Sequence, residues 1–448
     1  MRIHPHDLLL QELDSACPET REKCLAHLSG CAECQAKLRL LLQVRPIALR
    51  GVLLFGRGKG RPTNYEPALE DAAKATGSLE EIYARERAEA PGLYAELIQH
   101  PVKRRNLLVR NCPRFRTWGF CEALLYRSRE QNFQDAVLGE SLALLAVEVL
   151  DHLDPASYGS EPLEDLRARA WSYVGNSRRV QTDFPGAEKA FAFAFAFLKL
   201  GTGDPLEKAM LLDLKASFLT KRGQFTKALS LLRRAMAIFL EVDETHRAGR
   251  ALVKMSMAHT MDGAPEKAIP LLHQALTLID PAREPRLLLA AWHNLIDDLT
   301  ETGQCMEAQK LLVKARPLYL AQPWTKDFRR WTEGKIARGL GQLDQAEALF
   351  LAARSGFLAG SSPYDLALVS LELSSLYAEQ ERMADLKRIA EETVSFFSSR
   401  QVHREAMAAL AYWRQAVEAE RACVSVVAGV GTFLAQLRHN PELRFQAP

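Results

Sequence analysis

The sequence has no run of apolar residues near the roughly 18 that a membrane-spanning helix needs. Its first residues, MRIHPHDLLLQELD, lack the basic head, long apolar middle and small-residue cleavage site of a secretory signal. A cytoplasmic protein with no membrane partner is therefore expected. Neither sign of charge dominates: 58 Lys and Arg against 55 Asp and Glu leave a net +3. That is too little to attract nucleic acid or anionic lipid in general. Period-two alternation is almost absent, so strands are not expected. H-E-x-x-H, G-x-S-x-G, a nucleotide fingerprint and the kinase set are all missing, and the eleven histidines are dispersed. The nearest thing to a carboxylate pair, Asp297-Asp298, lies on one helix, where adjacent side chains diverge by about 100°. They cannot serve one reacting centre and are expected on a polar helix surface. No enzyme is expected.

Cysteine is scarce as well. Eight occur in 448 residues, and four of them (Cys17, Cys24, Cys31, Cys34) fall within one short stretch, CPETREKCLAHLSGCAEC. A secreted disulfide framework spreads its cysteines over a small domain, so this clustering points to a local site. Its core is His27-x3-Cys31-x2-Cys34. Two thiolates at Cys-x2-Cys spacing reach one ion from a single tight turn, with Zn–S near ~2.3 Å. His27, on the preceding helix end, supplies a third ligand, and Gly30 eases the chain out of that helix. Soft sulfur and nitrogen donors favour Zn2+. The candidates for a fourth ligand are Cys24, Cys17, His4 and His6. Cys24 lies seven residues before Cys31, about 10 Å along a continuous helix, and serves only if the helix breaks after His27. Four protein ligands leave no open position, so such a site is structural.

Residues 45–65, RPIALRGVLLFGRGKGRPTNY, carry Arg45, Arg50, Arg57, Lys59 and Arg61 among glycines and prolines. GRGKGRP resembles the core of a minor-groove hook, but a flexible basic linker is the expected role. A second basic segment, HPVKRRNLLVRNCPRFRTWGF, is expected to be a solvated helix face that packs Leu107, Leu108 and Phe115. Nucleic acid is not an expected partner.

From residue 166 the chain repeats itself at about forty residues. Ala187, Ala228, Ala268, Ala308 and Ala346 share one aligned position, occupied by Leu386 in a weaker sixth copy. Ala194, Ala235, Ala275, Ala315 and Ala353 follow seven residues later. Between the alanines stands a large apolar residue: Phe191, Leu232, Leu272, Leu312, Phe350. Gly223, Gly263, Gly303 and Gly341 mark the turns. Small residues twice on one helix admit a close neighbour, the large one fills the gap, and glycine supplies the turn. One hairpin cannot bury its own apolar face, so hairpins must stack.

Two resemblances follow. HDLLLQEL with CPETREKCLAHLSGCAECQAKL, over residues 4 to about 43, resembles the zinc-binding anti-sigma-factor domain of bacterial regulators. By position it implies the ligand set His6, His27, Cys31 and Cys34, with Cys24 or His4 as alternatives to His6. It also implies a sigma factor held by the helices at 7–14, 19–28 and 34–44. The repeats resemble the tetratricopeptide repeat, best matched at Trp171, Gly175, Ala187, Phe191 and Ala194.

The expected fold is all-α, a small zinc-binding helical domain followed by a tetratricopeptide-like α-solenoid. Its parts are 1–44 (zinc module), 45–65 (linker), 66–165 (degenerate helix pairs), 166–400 (repeats) and 401–448 (capping helices). A solenoid works through its concave face, where the first helix of each hairpin places Asn176, Arg179, Ser217, Thr220, Met257, His293, Asp297, Lys335 and Arg338. The expected function is a protein-interaction regulator of transcription. Its zinc module would bind an RNA polymerase sigma factor and its groove a protein or peptide. The alternative is a scaffold without a sigma partner, its zinc purely structural.

Overall fold

The computed structural model describes residues 66–132, 134–360, 362–398, 404–419, 424–439 and 443–446. His4, His6, Cys17, Cys24, His27, Cys31, Cys34 and the 45–65 linker lie outside the described residues. Every regular element among the described residues is helical, and the chain divides into two compact units at Leu211/Leu212.

The first unit holds α1 (Glu66–Ile98), α2 (Val102–Asn111), α3 (Trp118–Gln131), α4 (Ala136–Leu150), a single turn α5 (Pro155–Tyr158), α6 (Ser160–Val180), α7 (Phe184–Leu198) and the start of α8 (Pro205–Lys221). Helix starts are capped by side chains, as the unpaired N–H groups of a first turn require. Thr117 accepts from the Phe120 N–H, Asp135 from Val137 and Leu138, and Asp183 from Gly186. Helix α3 packs on α1 and α4, α4 on α6, and α6 on α7. The basic segment departs from its expected packing. Phe115 is buried, but Leu107 is exposed and Val109 turns inward in its place. Of its six cations, these three are engaged within the fold: Arg110 pairs with Glu148 at 2.6 Å, Arg114 with Glu96, and Arg105 donates to the Ile98 carbonyl.

The second unit continues with α9 (Phe225–Glu241), α10 (Thr245–Met261), α11 (Pro265–Leu278), α12 (Pro285–Glu301), α13 (Cys305–Leu320), α14 (Lys326–Gly339), α15 (Leu343–Ala359), α16 (Pro363–Glu379), α17 (Met383–Ser398), α18 (Arg404–Glu418) and α19 (Val424–His439). Hairpins α10–α11, α12–α13, α14–α15 and α16–α17 follow the repeat. The aligned alanines and the large residues between them are all buried.

The turn glycines adopt the left-handed conformation: φ is 67° at Gly223, 78° at Gly263, 79° at Gly303 and 76° at Gly341. In each case the next N–H returns to a carbonyl five residues back, Gln224 to Leu219, Ala264 to His259, Gln304 to Leu299 and Gln342 to Ala337. This closes the helix end in the Schellman manner. Thr182 (φ 63°) and Glu381 (φ 59°) do the same work without glycine.

Hairpin packing also balances volume. A Cβ on Gly175 would lie 3.1 Å from the Phe191 ring, and one on Gly334 would lie 2.7 Å from Phe350. Where the second helix carries Leu232, Leu272 or Leu312, the corresponding first-helix position holds Ala216, Ser256 or Ile296, all buried. Helix α18 packs on α17, and α19 packs on α18 and on α16, burying Val427, Val430, Leu434 and Leu437.

Candidate functional site

Within the second unit, the first helices of successive hairpins and the last helix α19 enclose a cavity of about 1030 Å³. That is at the upper end of the volumes that hold small ligands. One wall is polar: Thr220 from α8, Thr260 from α10, Asp297 and Glu301 from α12, Lys335 and Arg338 from α14, and Glu372 and Ser375 from α16. The facing wall comes from α19, whose Val424, Val427, Ala428, Gly431, Thr432 and Ala435 offer short side chains. Trp331, Leu368 and Leu371 add apolar surface. The Trp331 indole N–H is buried and has no hydrogen-bond partner among the described residues.

Lys335 organises the polar wall. Its Nζ lies 2.6 Å from Asp297 and 5.5 Å from the centre of the Trp331 ring. Burial works against its charge, but Asp297, Glu372 and Glu301 hold its pKa above the ordinary lysine value. Burial likewise pushes the Asp297 carboxyl up, and Lys335 with His293 brings it below its ordinary value. Glu301 is raised, because burial outweighs the pull of Lys335 and Asp297 and Glu372 repel its charge. Arg338 reaches Glu372 at 3.1 Å and the Ser375 hydroxyl at 2.8 Å, and pairs with Glu379. Four lining carboxylates (Asp262, Asp297, Glu301, Glu372) outnumber the two lining cations, Lys335 and Arg338, so the wall favours positive charge.

Four of the nine expected groove residues, Thr220, Asp297, Lys335 and Arg338, meet at this cavity. The other five are placed elsewhere. Asn176 and Arg179 bond to each other at 2.9 Å in the first unit. Ser217 donates back to the Asp213 carbonyl, and Met257 is exposed. His293 Nδ1 shares a 2.9 Å hydrogen bond with the Tyr319 hydroxyl, and its burial keeps the imidazole pKa low. Asp297 and Asp298 do diverge as adjacent helical residues must, but the expectation of polar surface fails for Asp298. It is buried, accepts from the Thr260 hydroxyl at 2.8 Å, and has its pKa pushed up to about 7 by desolvation. The apolar contribution of α19 had no signal in the repeat pattern, because α19 is not a repeat helix. Among the described residues no group of three or more His, Cys, Asp or Glu could hold a metal ion, and no helix is long and apolar enough to cross a membrane.

Stacked hairpins of this kind define a tetratricopeptide-like α-solenoid. The tetratricopeptide-repeat family model matches residues 207–279. No curated protein sequence matches the chain. Among solved structures, the apo form of RapI is similar at 14% identity and a TM-score of 0.52, over 81% of this chain and 98% of that one. A Rap protein complexed with the competence and sporulation factor is similar at 17% identity and a TM-score of 0.46, over 80% and 99%. Aspartyl phosphate phosphatase F from Bacillus subtilis is similar at 14% identity and 0.46, over 71% and 88%. At these identities the RapI likeness establishes the fold.

Proposed function

We propose that this chain is a non-catalytic interaction scaffold whose second unit holds a short, positively charged peptide or protein segment in the cavity under α19. The observation that carries the reading is the pairing of an acid-rich polar wall with a wall of short side chains. The first orders the backbone and cations of a guest, and the second leaves room for its bulk. The tetratricopeptide match and the RapI-like fold support a protein or peptide guest over a metabolite. Selection from a displayed library of short peptides against the full chain tests this. Enriched peptides should carry Lys or Arg, and Ala428→Trp, an exposed position on the α19 wall, should weaken them at least tenfold without loss of helix content. A selection with no enrichment, or binding indifferent to Ala428→Trp, rejects the reading.

The sigma-factor reading rests on a separate observation, the His27-x3-Cys31-x2-Cys34 motif, which lies outside the described residues. On it, Zn2+ is held by His27, Cys31, Cys34 and a fourth ligand, His6, Cys24 or His4, and the front module contacts a sigma factor. Pull-downs comparing the wild type with Cys31→Ser/Cys34→Ser test it. A sigma subunit lost only from the variant supports it, and an unchanged partner set without sigma leaves the scaffold alone.

A further inference from the structure

Helix α13 (Cys305–Leu320) has two apolar faces. One is the repeat face, where Ala308, Leu311, Leu312, Ala315 and Tyr319 are buried. The other points to solvent: Met306, Val313 and Leu320, seven residues apart, are 61%, 69% and 64% exposed. Trp324, in the short turn that follows, is also 62% exposed. The repeat does not require this outward ridge. At the aligned positions the preceding hairpin carries the solvent-facing Glu266, His273 and Asp280, and the following one carries Asp344 with the less exposed Leu351 and Leu358, so of these three only α13 has the complete ridge.

Three features identify what covers this ridge. Seventh-residue spacing over about 21 Å of helix is the register of one helix laid along another. The apolar arc is about 40° wide, far narrower than the ≳ 100° stripe that a wide apolar surface requires. The flanking charges have one sign: Lys310 and Lys314 on one side, Arg316 on the other. The sole acid on the helix, Glu307, meets Lys310 only at 3.6 Å with both side chains in solvent. Such a contact contributes little.

We propose that the outward face of α13 is a docking surface for an amphipathic helix of a partner protein, its apolar seam flanked by acidic residues. The surface is independent of the α19 cavity. Its probe is a 21-residue helical peptide with leucine at every seventh position and glutamate beside it, compared with the same peptide flanked by lysine. Both are titrated into the full chain by fluorescence anisotropy at low and high salt. The Glu-flanked peptide should bind more tightly, and lose affinity with salt as surface ion pairs do. Val313→Asp, at a largely exposed position, should weaken it at least tenfold with unchanged circular dichroism. Lys310→Glu/Lys314→Glu/Arg316→Glu should reverse the preference between the two peptides. The proposal is overturned by absent binding, by equal binding of both peptides, or by a Val313→Asp variant that binds like wild type. It also falls if Val313→Asp abolishes self-association seen by sedimentation, since the occupant is then a second copy. Ridge-dependent binding to phosphatidylserine vesicles would make the occupant a membrane and overturn it equally.

Discussion

Asp298 shows how one buried carboxyl leaves a trace in stability. Its pKa lies near 7 in the folded chain, against the ordinary 3.8. Between those pH values the folded state holds more protons than the unfolded state, so stability falls as pH rises through this window and levels off above it. Asp298→Asn, which keeps an acceptor for Thr260, should leave the melting temperature at pH 5 little changed. At pH 8 it should stabilise by on the order of a few kcal/mol, because a neutral amide escapes the desolvation cost of the buried carboxylate. Glu301 has a related consequence for binding. Because its pKa is raised, affinity for a cationic guest should increase with pH from acid to neutral, and Glu301→Gln should abolish the increase. Packing is equally local at Gly334: with Phe350 only 2.7 Å from where a Cβ would sit, Gly334→Ala should cost about 1–3 kcal/mol in denaturant titrations.

At the scale of an element, the hairpin turn is decided by one backbone conformation. Nothing lies within 4 Å of a Cβ built on Gly303, so Gly303→Ala isolates the backbone term and should destabilise by about 1–2 kcal/mol. The converse holds at Thr182, which adopts the same conformation at φ 63° without glycine. Thr182→Gly should stabilise the first unit by roughly 0.5 kcal/mol, since relieved strain is partly offset by the entropy of glycine in the unfolded chain. Both comparisons need only chemical denaturation. The recurring Gly223, Gly263, Gly303 and Gly341 made these turns legible in the sequence, because no other residue enters that region without strain. Thr182 and Glu381 were invisible for the same reason: neither residue type advertises a left-handed turn.

For the whole molecule, the repeat and the front module call for different tests. If Zn2+ sits on His27, Cys31 and Cys34, metal analysis of the reduced protein should give close to one zinc per chain. Chelation should then remove it without lowering the melting of the repeat helices, whose described residues include no metal-ligating cluster. A zinc content well under one per chain rejects the site.

The stack of hairpins was determined by the sequence alone, because its cause is periodic: small, large, small on one helix face and glycine at the turn can be satisfied only by a close-packed neighbour. Volume matching between Gly175 and Phe191, or Gly334 and Phe350, was half legible, since the aromatic is visible but the residue it fills against lies on another helix. What only the tertiary structure decided is which polar residues share one space. Thr220, Asp297, Lys335 and Arg338 come from three helices, and they share one wall because the first helices of successive hairpins stack, with α19 closing the space opposite them. Asp297 and Asp298 diverge by helix geometry alone, but only the packing gave each its partner, Lys335 for one and Thr260 for the other. Periodicity is a property of the chain and can be read along it. Proximity between distant helices depends on how each one packs, and no single stretch of sequence records it.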